Sequence, residues 1–227
     1  MKNEPADRIS VRGPLYFRGC VRPDAELFPI FLKLAGRPVL LVGGGVVASS
    51  KMDALAPTGA HVTVVAPLIA DSIRATAATL HERPFEERDL DGQWLVISAA
   101  PPEVNRAVAD AAERRRVFVN AVDDPNNASA YLGGVLRRDG LTLSISTSGR
   151  APALAGLIRE GLDALIPQDL DRWFARADEM KAHWRSTGVP MDERRPQLMD
   201  ALMKLYDDRS AALADVDRSD VARPRVG

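Results

Sequence analysis

"LLVGGGVVASSK", residues 40–51, is an apolar run that breaks into three glycines and resumes as a helix-like stretch of small residues. Glycine is costly to order, so three in succession at the end of a hydrophobic strand imply a turn that other residues make poorly. Upstream, "FPIFLKL" (28–34) and the turn "AGRP" (35–38) lead into "VLLV" (39–42), a short buried strand. Downstream, "VVASSKMDALAPTG" (46–59) reads as a helix closing at Pro57 and Gly59, and "HVTVVAP" (61–67) as a β-branched strand stopped by Pro67. Gly43, Gly45 and Ala48 therefore spell G-x-G-x-x-A between strand and helix, inside a βαβ unit. In such a turn the first glycine permits the bend and the second lets backbone approach a pyrophosphate. The small third residue lets the helix pack on the strand. The helix N-terminus adds free N–H groups and the positive end of its dipole. A purely structural turn is the competing reading of the same residues.

The alternation continues outward. "IADSIRATAATL" (69–80) reads as helix, "WLVISAA" (94–100) as strand, "PEVNRAVADAAERR" (102–115) as helix and "VFVNAV" (117–122) as strand. Strands alternating with helices of this length imply crossovers and a parallel sheet covered on both faces. Past Pro125 the pattern changes to an alternating strand with a Ser/Thr/Gly loop, "LTLSISTSGRAP" (141–152). The amphipathic helix "PALAGLIREGLDALIP" (152–167) follows, with Pro152 suited to its first turn. From Gln168 to about Leu213 the pattern is helical and charged, interrupted by "STGVP" and "RRP". The expected organisation is an extension at 1–27, a Rossmann-like α/β domain at 28–135 and a small α+β segment at 136–167. A helical domain at 168–213 and a tail at 214–227 complete it.

The 227 residues are 46% hydrophobic and 27% charged, an ordinary globular balance. Lys+Arg total 30 against Asp+Glu 31, so no global basic excess argues for nucleic acid. A single cysteine, Cys20, excludes a disulfide framework and a cysteine-built metal site. His61, His81 and His183 show no metal-ligand spacing. No run is long and apolar enough for a membrane span and no secretory signal opens the chain, so a cytoplasmic setting is expected. The acidic residue that usually holds the adenosine ribose is missing after the second strand, which ends Val65, Ala66, Pro67. No arginine follows directly to hold a 2′-phosphate, so the motif alone leaves NAD and NADP open.

Four blocks in order, "FPIFLKLAGRPVLLVGGGVVASSK", "TGAHVTVVAP", "VNAVDDPNNAS" and "LTLSISTSGRAPALAGLIRE", resemble the precorrin-2 dehydrogenase / sirohydrochlorin ferrochelatase family, which includes the N-terminal module of siroheme synthases. The similarity spans residues 28 to about 210. The resemblance implies NAD-dependent oxidation of precorrin-2 to sirohydrochlorin, in some members followed by insertion of ferrous iron as a substrate. It also implies a homodimer interlocked through segment 136–167, with the active site in a cleft. Cofactor-contacting positions map onto the turn Gly43, Gly44, Gly45, onto Val46 and Val47, and onto Pro67 and Leu68. The central carboxylate maps onto Asp123, with Asp124 adjacent. Ser129 matches a small polar position near it, and the Ser/Thr loop maps onto Ser146, Thr147, Ser148 and Gly149. Two positions depart from the family pattern, Ser50 before Lys51 and Gly133 within "YLGGV". A methyltransferase segment is absent from the sequence, so a separate uroporphyrinogen-III methyltransferase is expected to supply the substrate.

Oxidation of a reduced macrocycle removes a hydride and a proton, and a carboxylate at the end of a parallel strand suits the proton. Asp123 has that position, and Asp before Asp-Pro-Asn is equally good turn chemistry. The polycarboxylate substrate that the resemblance implies needs cations, for which Arg137, Arg138, Arg150, Arg159 and Lys181 are candidates, Arg150 foremost. "STSG" can bind an anion or cap the helix that begins at Pro152. A dinucleotide-sensing module without catalysis is the alternative, and it has no use for a carboxylate at position 123.

Overall fold

The computed structural model describes residues 26–76 and 78–205. The expected tail, most of the N-terminal extension and positions 206–213 of the helical domain lie outside the described residues. Five parallel strands form the central sheet: β1 (Pro38–Val42), β2 (His61–Val65), β3 (Thr79–His81), β4 (Leu95–Ser98) and β5 (Phe118–Ala121). Their spatial order is β3-β2-β1-β4-β5, so the order reverses beside β1, where a crevice opens at the carboxyl ends of the strands.

Helices α1 (Val46–Leu55) and α3 (Pro102–Arg115) cover opposite faces. Val39 and Leu41 of β1 pack with Ala48, Met52 and Leu55 of α1, while Leu40 and Val42 pack with Val108, Ala109 and Ala112 of α3. The two-residue period of the strand thus feeds two cores, which is why "VLLV" is apolar throughout rather than alternating. Each fully buried aliphatic side chain here contributes about 1.5–3 kcal/mol relative to exposure.

The stretch read as a helix over 69–80 is mostly something else. Only Asp71–Arg74 is helical (α2), and the chain then enters the edge strand β3. Arg74 explains the early stop. Its Nε donates to Ile69 O at 3.1 Å and its two terminal nitrogens fork onto the Glu82 carboxylate at 2.7 and 2.6 Å, folding the segment back on itself. Residues 26–34, expected to begin the ordered structure, carry no helix or strand.

After the sheet, β6 (Gly134–Arg138) and β7 (Leu141–Ile145) form an antiparallel hairpin. Only β7 is expected from the sequence. Asp139 and Gly140 take φ of 46° and 90° in the turn between them, the conformation that Asp-Gly favours. Helix α4 (Pro152–Leu165) lies on this hairpin, with Gly134 so close that a Cβ there would sit 3.5 Å from Ala155 O. Arg138 donates to Ile166 O at 2.7 Å and to Asp163 Oδ1, fastening the hairpin to the end of α4. Helix α5 (Leu170–Thr187) follows, and residues 191–205 form α6. "STGVP" separates these two helices, whereas "RRP" interrupts nothing: α6 runs through Pro196, giving up the one bond its missing N–H would make. The Trp184 indole donates to Gln197 Oε1 at 2.8 Å and ties α5 to α6.

One buried polar group fixes how α3 leaves β4. Asn105 is 3% exposed, and its Oδ1 accepts from Ser98 Oγ at 2.6 Å and from Ala100 N at 3.3 Å. Asn105→Leu leaves both donors unpaired inside the protein. We expect it to lower stability by about 1–3 kcal/mol, read as a shifted urea midpoint.

Candidate active site

The glycine turn ends β1 between two other loops. Gly43 N donates to Val65 O at 3.0 Å, Ala99 N to Val42 O at 2.8 Å and Ala70 N to Gly44 O at 2.8 Å. The three glycines then divide the work. A Cβ on Gly43 (φ 121°) would lie 2.2 Å from Ala99 O, and one on Gly44 would lie 2.0 Å from Leu68 O. Both positions are closed to any side chain by neighbouring backbone. Gly45 is different, because a Cβ there would meet nothing within 4 Å. It faces open space immediately before α1.

Ser49 N donating to Gly45 O is the bond that opens α1, so the N–H groups of the first turn have no acceptor inside the helix. That turn holds no acidic residue and Gly45 places no side chain over it. The backbone of Gly45, Val46 and Val47 is what could hold an anion such as a diphosphate there. Val46 is 86% exposed at the start of this turn.

Two cavities flank the turn. The smaller, about 520 Å³, is lined by Gly43, Gly44, Gly45, Pro67, Leu68, Pro84, Phe85 and Val104 among others. Its apolar walls suit an adenosine. Among the described residues no lysine or arginine lines it, so none of them offers a cation to a 2′-phosphate there. The larger cavity, about 1040 Å³, is lined by Val47, Glu103, Arg106, Asp123, Asp124, Asn126 and Asn127 with their neighbours. Glu103 borders both cavities. The two meet around the turn, as a dinucleotide spanning from adenosine to nicotinamide requires.

The resemblance points to Asp123, whose competing reading from the residues alone is that of a turn former. Asp124 is the turn former: its Oδ2 accepts from Asn127 Nδ2 at 2.8 Å and its carbonyl accepts from Asn127 N at 3.1 Å. Asp123 is exposed in the larger cavity, and among the described residues its carboxylate makes no hydrogen bond or ion pair. Its φ of 55° lies in the left-handed region.

The remaining sequence-derived positions fall into two groups. The Ser129 hydroxyl accepts from Val119 N at 2.9 Å, and Ser129 lines neither cavity. In the loop before α4, Ser146 Oγ accepts from Ser148 N at 3.1 Å and Thr147 Oγ1 from Ala151 N at 3.2 Å. These bonds shape the loop ahead of the helix. A Cβ on Gly149 would be 3.5 Å from Pro125 Cβ, so the loop abuts the segment that carries Asp123. Arg150 is exposed and borders neither cavity in the single chain. Arg138 and Arg159 are engaged with Asp163 and Glu160. Sequence reasoning missed Phe85, Glu103 and Arg106. Glu103 and Arg106 were legible only as two charges one turn apart at the start of a helix that follows a strand. Among the described residues no group of three or more His, Cys, Asp or Glu is arranged to hold a metal ion, and no helix is long and apolar enough to cross a membrane.

Comparison with known proteins gives this geometry a setting. Residues 30–134 match a family described as putative NAD(P)-binding. The chain is 40% identical over 175 residues to siroheme synthase 1 of Aeromonas salmonicida (strain A449), covering 75% of this chain and 37% of that protein. It is 40% identical over 172 residues to the siroheme synthase of Salmonella typhimurium (strain LT2), covering 74% and 38%. The chain thus spans under two fifths of the length of these curated relatives. Among solved structures, SirC, precorrin-2 dehydrogenase, superposes with a TM-score of 0.62 at 23% identity, covering 77% of this chain and 88% of that one. At that identity the match speaks for the fold.

Gly44→Ala and Gly45→Ala separate packing from binding. Gly44→Ala drives a Cβ into Leu68 backbone and is expected to destabilise the fold by about 1–3 kcal/mol. Gly45→Ala is expected to melt within a few degrees of the parent while losing most of its affinity for NAD, measured by thermal scan and calorimetric titration.

Proposed function

From a chain homologous over three quarters of its length to the siroheme synthases, we propose an NAD-dependent oxidation of precorrin-2 to sirohydrochlorin. The observation that carries the reading is the unpaired Asp123 carboxylate in the cavity that adjoins an open glycine turn. The first turn of α1 would hold NAD, with Pro67, Leu68 and Phe85 as walls for its adenosine, and the bound cofactor would supply the hydride acceptor. Asp123 accepts the proton that the macrocycle loses with the hydride. A carboxylate with no internal partner has its lone pairs free for this, and its place at the end of β5 puts it on the side of Val47. Asn126 and Asn127 border the same cavity and offer donors to the substrate's acid groups. The larger cavity has the volume for one face of a tetrapyrrole to enter.

Ferrochelation at the same site is the finer part of the proposal. Pyrrole N–H protons must leave as ferrous iron enters, and Asp123 is the base within reach of the macrocycle. A dinucleotide sensor is the poorer reading, since it leaves the exposed carboxylate without a task.

Asp123→Ala is expected to bind NAD as the parent does and to lose at least about 100-fold in turnover, the lower range for a positioned general base. Incubation with precorrin-2 and NAD, following NADH and the sirohydrochlorin spectrum, measures it. Full turnover by the variant removes Asp123 from the chemistry. Ferrous or cobaltous ion added to sirohydrochlorin then tests chelation.

The homodimer belongs to the same proposal. Helix α4 buries only Ala155, while Leu154, Leu157, Ile158 and Leu165 form an exposed stripe that turns past Gly161. Val135 of β6 is exposed as well. An apolar stripe on the hairpin-helix unit is what a second copy covers. Leu157→Asp is expected to sediment as a monomer where the parent sediments as a dimer.

A further inference from the structure

Resting on the tetrapyrrole reading above, we infer that Arg106 seats an acidic side chain of the substrate and so sets how the ring lies against Asp123. Arg106 lines the larger cavity together with Val47 and Asp123. The other charged residues on that wall are Glu103, Asp123 and Asp124, all carboxylates. Of the charged groups a polycarboxylate meets in such a space, three repel it and Arg106, the sole lysine or arginine of the described lining, attracts it.

The pairing of the arginines on α3 points the same way. Arg114 bonds Glu87 at 2.5 Å, and Arg115 bonds Asp91 at 2.9 Å and Glu87 at 3.3 Å. These two fasten the far end of the helix to the preceding loop. The Arg106 side chain has no ion pair or hydrogen bond among the described residues, although Glu103 stands one helical turn before it. A guanidinium kept free at the mouth of a cavity is available to a ligand.

Its direction is also fixed. Asn105, next in the chain, is held inward by Ser98 Oγ and Ala100 N, and Val108 and Ala109 are buried on the same side. The rotation of α3 about its axis is therefore locked, and position 106 is carried on the face above the cleft. A planar guanidinium forks onto a carboxylate through two parallel N–H bonds, which orients the acid as well as attracting it. The reacting edge of a large flat ring needs such a handle away from the hydride path.

The test titrates sirohydrochlorin, the stable product, into the parent chain, Arg106→Gln and Arg106→Lys, and runs steady-state oxidation of precorrin-2 in parallel. The expected result is a roughly tenfold weaker Kd for sirohydrochlorin and a similar rise in KM for precorrin-2 in Arg106→Gln. Affinity for NAD and Tm are expected to match the parent. Arg106→Lys is expected to recover part of the affinity, since charge returns without the fork. Added salt is expected to weaken the parent more than Arg106→Gln. Equal sirohydrochlorin affinity in the parent and Arg106→Gln overturns the inference while leaving the oxidation intact. Equal losses in both variants accompanied by weaker NAD binding also overturn it, by showing a structural role. A parent chain that binds NAD but no tetrapyrrole overturns the proposed function itself, and this inference with it.

Discussion

Everything at the carboxyl edge of the sheet depends on how closely three stretches of backbone approach one another at Gly43 and Gly44. The Ala99 carbonyl occupies the space a Cβ on Gly43 would need, and the Leu68 carbonyl occupies that of Gly44. Van der Waals repulsion at those distances leaves no rotamer or small shift that admits a side chain. The consequence is a knot of backbone hydrogen bonds that draws the ends of β1, β2 and β4 together and leaves the next residue, Gly45, looking outward. Two glycines build the turn, and the third keeps it open.

From that knot the two cavities acquire their difference. The β2 side contributes Ala66, Pro67 and Leu68, and the loop beyond β3 contributes Pro84 and Phe85, so the smaller cavity is apolar. The β5 side contributes Asp123, Asp124, Asn126 and Asn127, so the larger one is polar and acidic. An adenosine and a reacting centre have those opposite requirements. The missing ribose carboxylate after β2 fits the same division, because the second strand ends in a wall rather than in a hydrogen-bonding group.

Much of this was legible in the chain, and the exceptions have physical causes. Buried parallel strands announce themselves as predominantly apolar, β-branched runs, and β1, β2, β4 and β5 are legible that way although Thr63, Ser98 and Asn120 interrupt three of them. Strand β3 is three residues at the sheet's edge, too short to establish a period, and it was hidden among alanines whose helix propensity favoured the wrong element. Arg74 and Glu82 decide there, through a contact that spacing along a helix does not suggest. Strand β6 was missed although Asp139-Gly140 is a strong hairpin signal, because Gly133 and Gly134 dilute its pattern. At the site, motif logic located the glycines and the aspartate pair. The resemblance chose Asp123, but the residues alone could not say whether it forms the turn, since that depends on which carboxylate Asn127 takes. Arg106 was invisible for a different reason: an arginine near the start of a charged helix reads as a solvated surface residue until the fold shows what it faces.

Asp123 itself carries the remaining clue. A non-glycine residue with φ of 55° is held in a sparsely populated region at a cost on the order of 1 kcal/mol, and such strain persists only where neighbours enforce it. The neighbours are visible. Val122 N donates to Ser98 O at 2.9 Å, prolonging the pairing of β5 with β4, and Asp124 N donates back to Ala121 O at 3.4 Å. Between these two bonds the chain must reverse, and position 123 absorbs the reversal. The reversal frees its side chain from the turn and commits Asp124 to it. Strain at one residue and hydrogen bonding at the next are therefore two halves of one arrangement, which exposes the Asp123 carboxylate beside the glycine turn while Asp124 closes the loop.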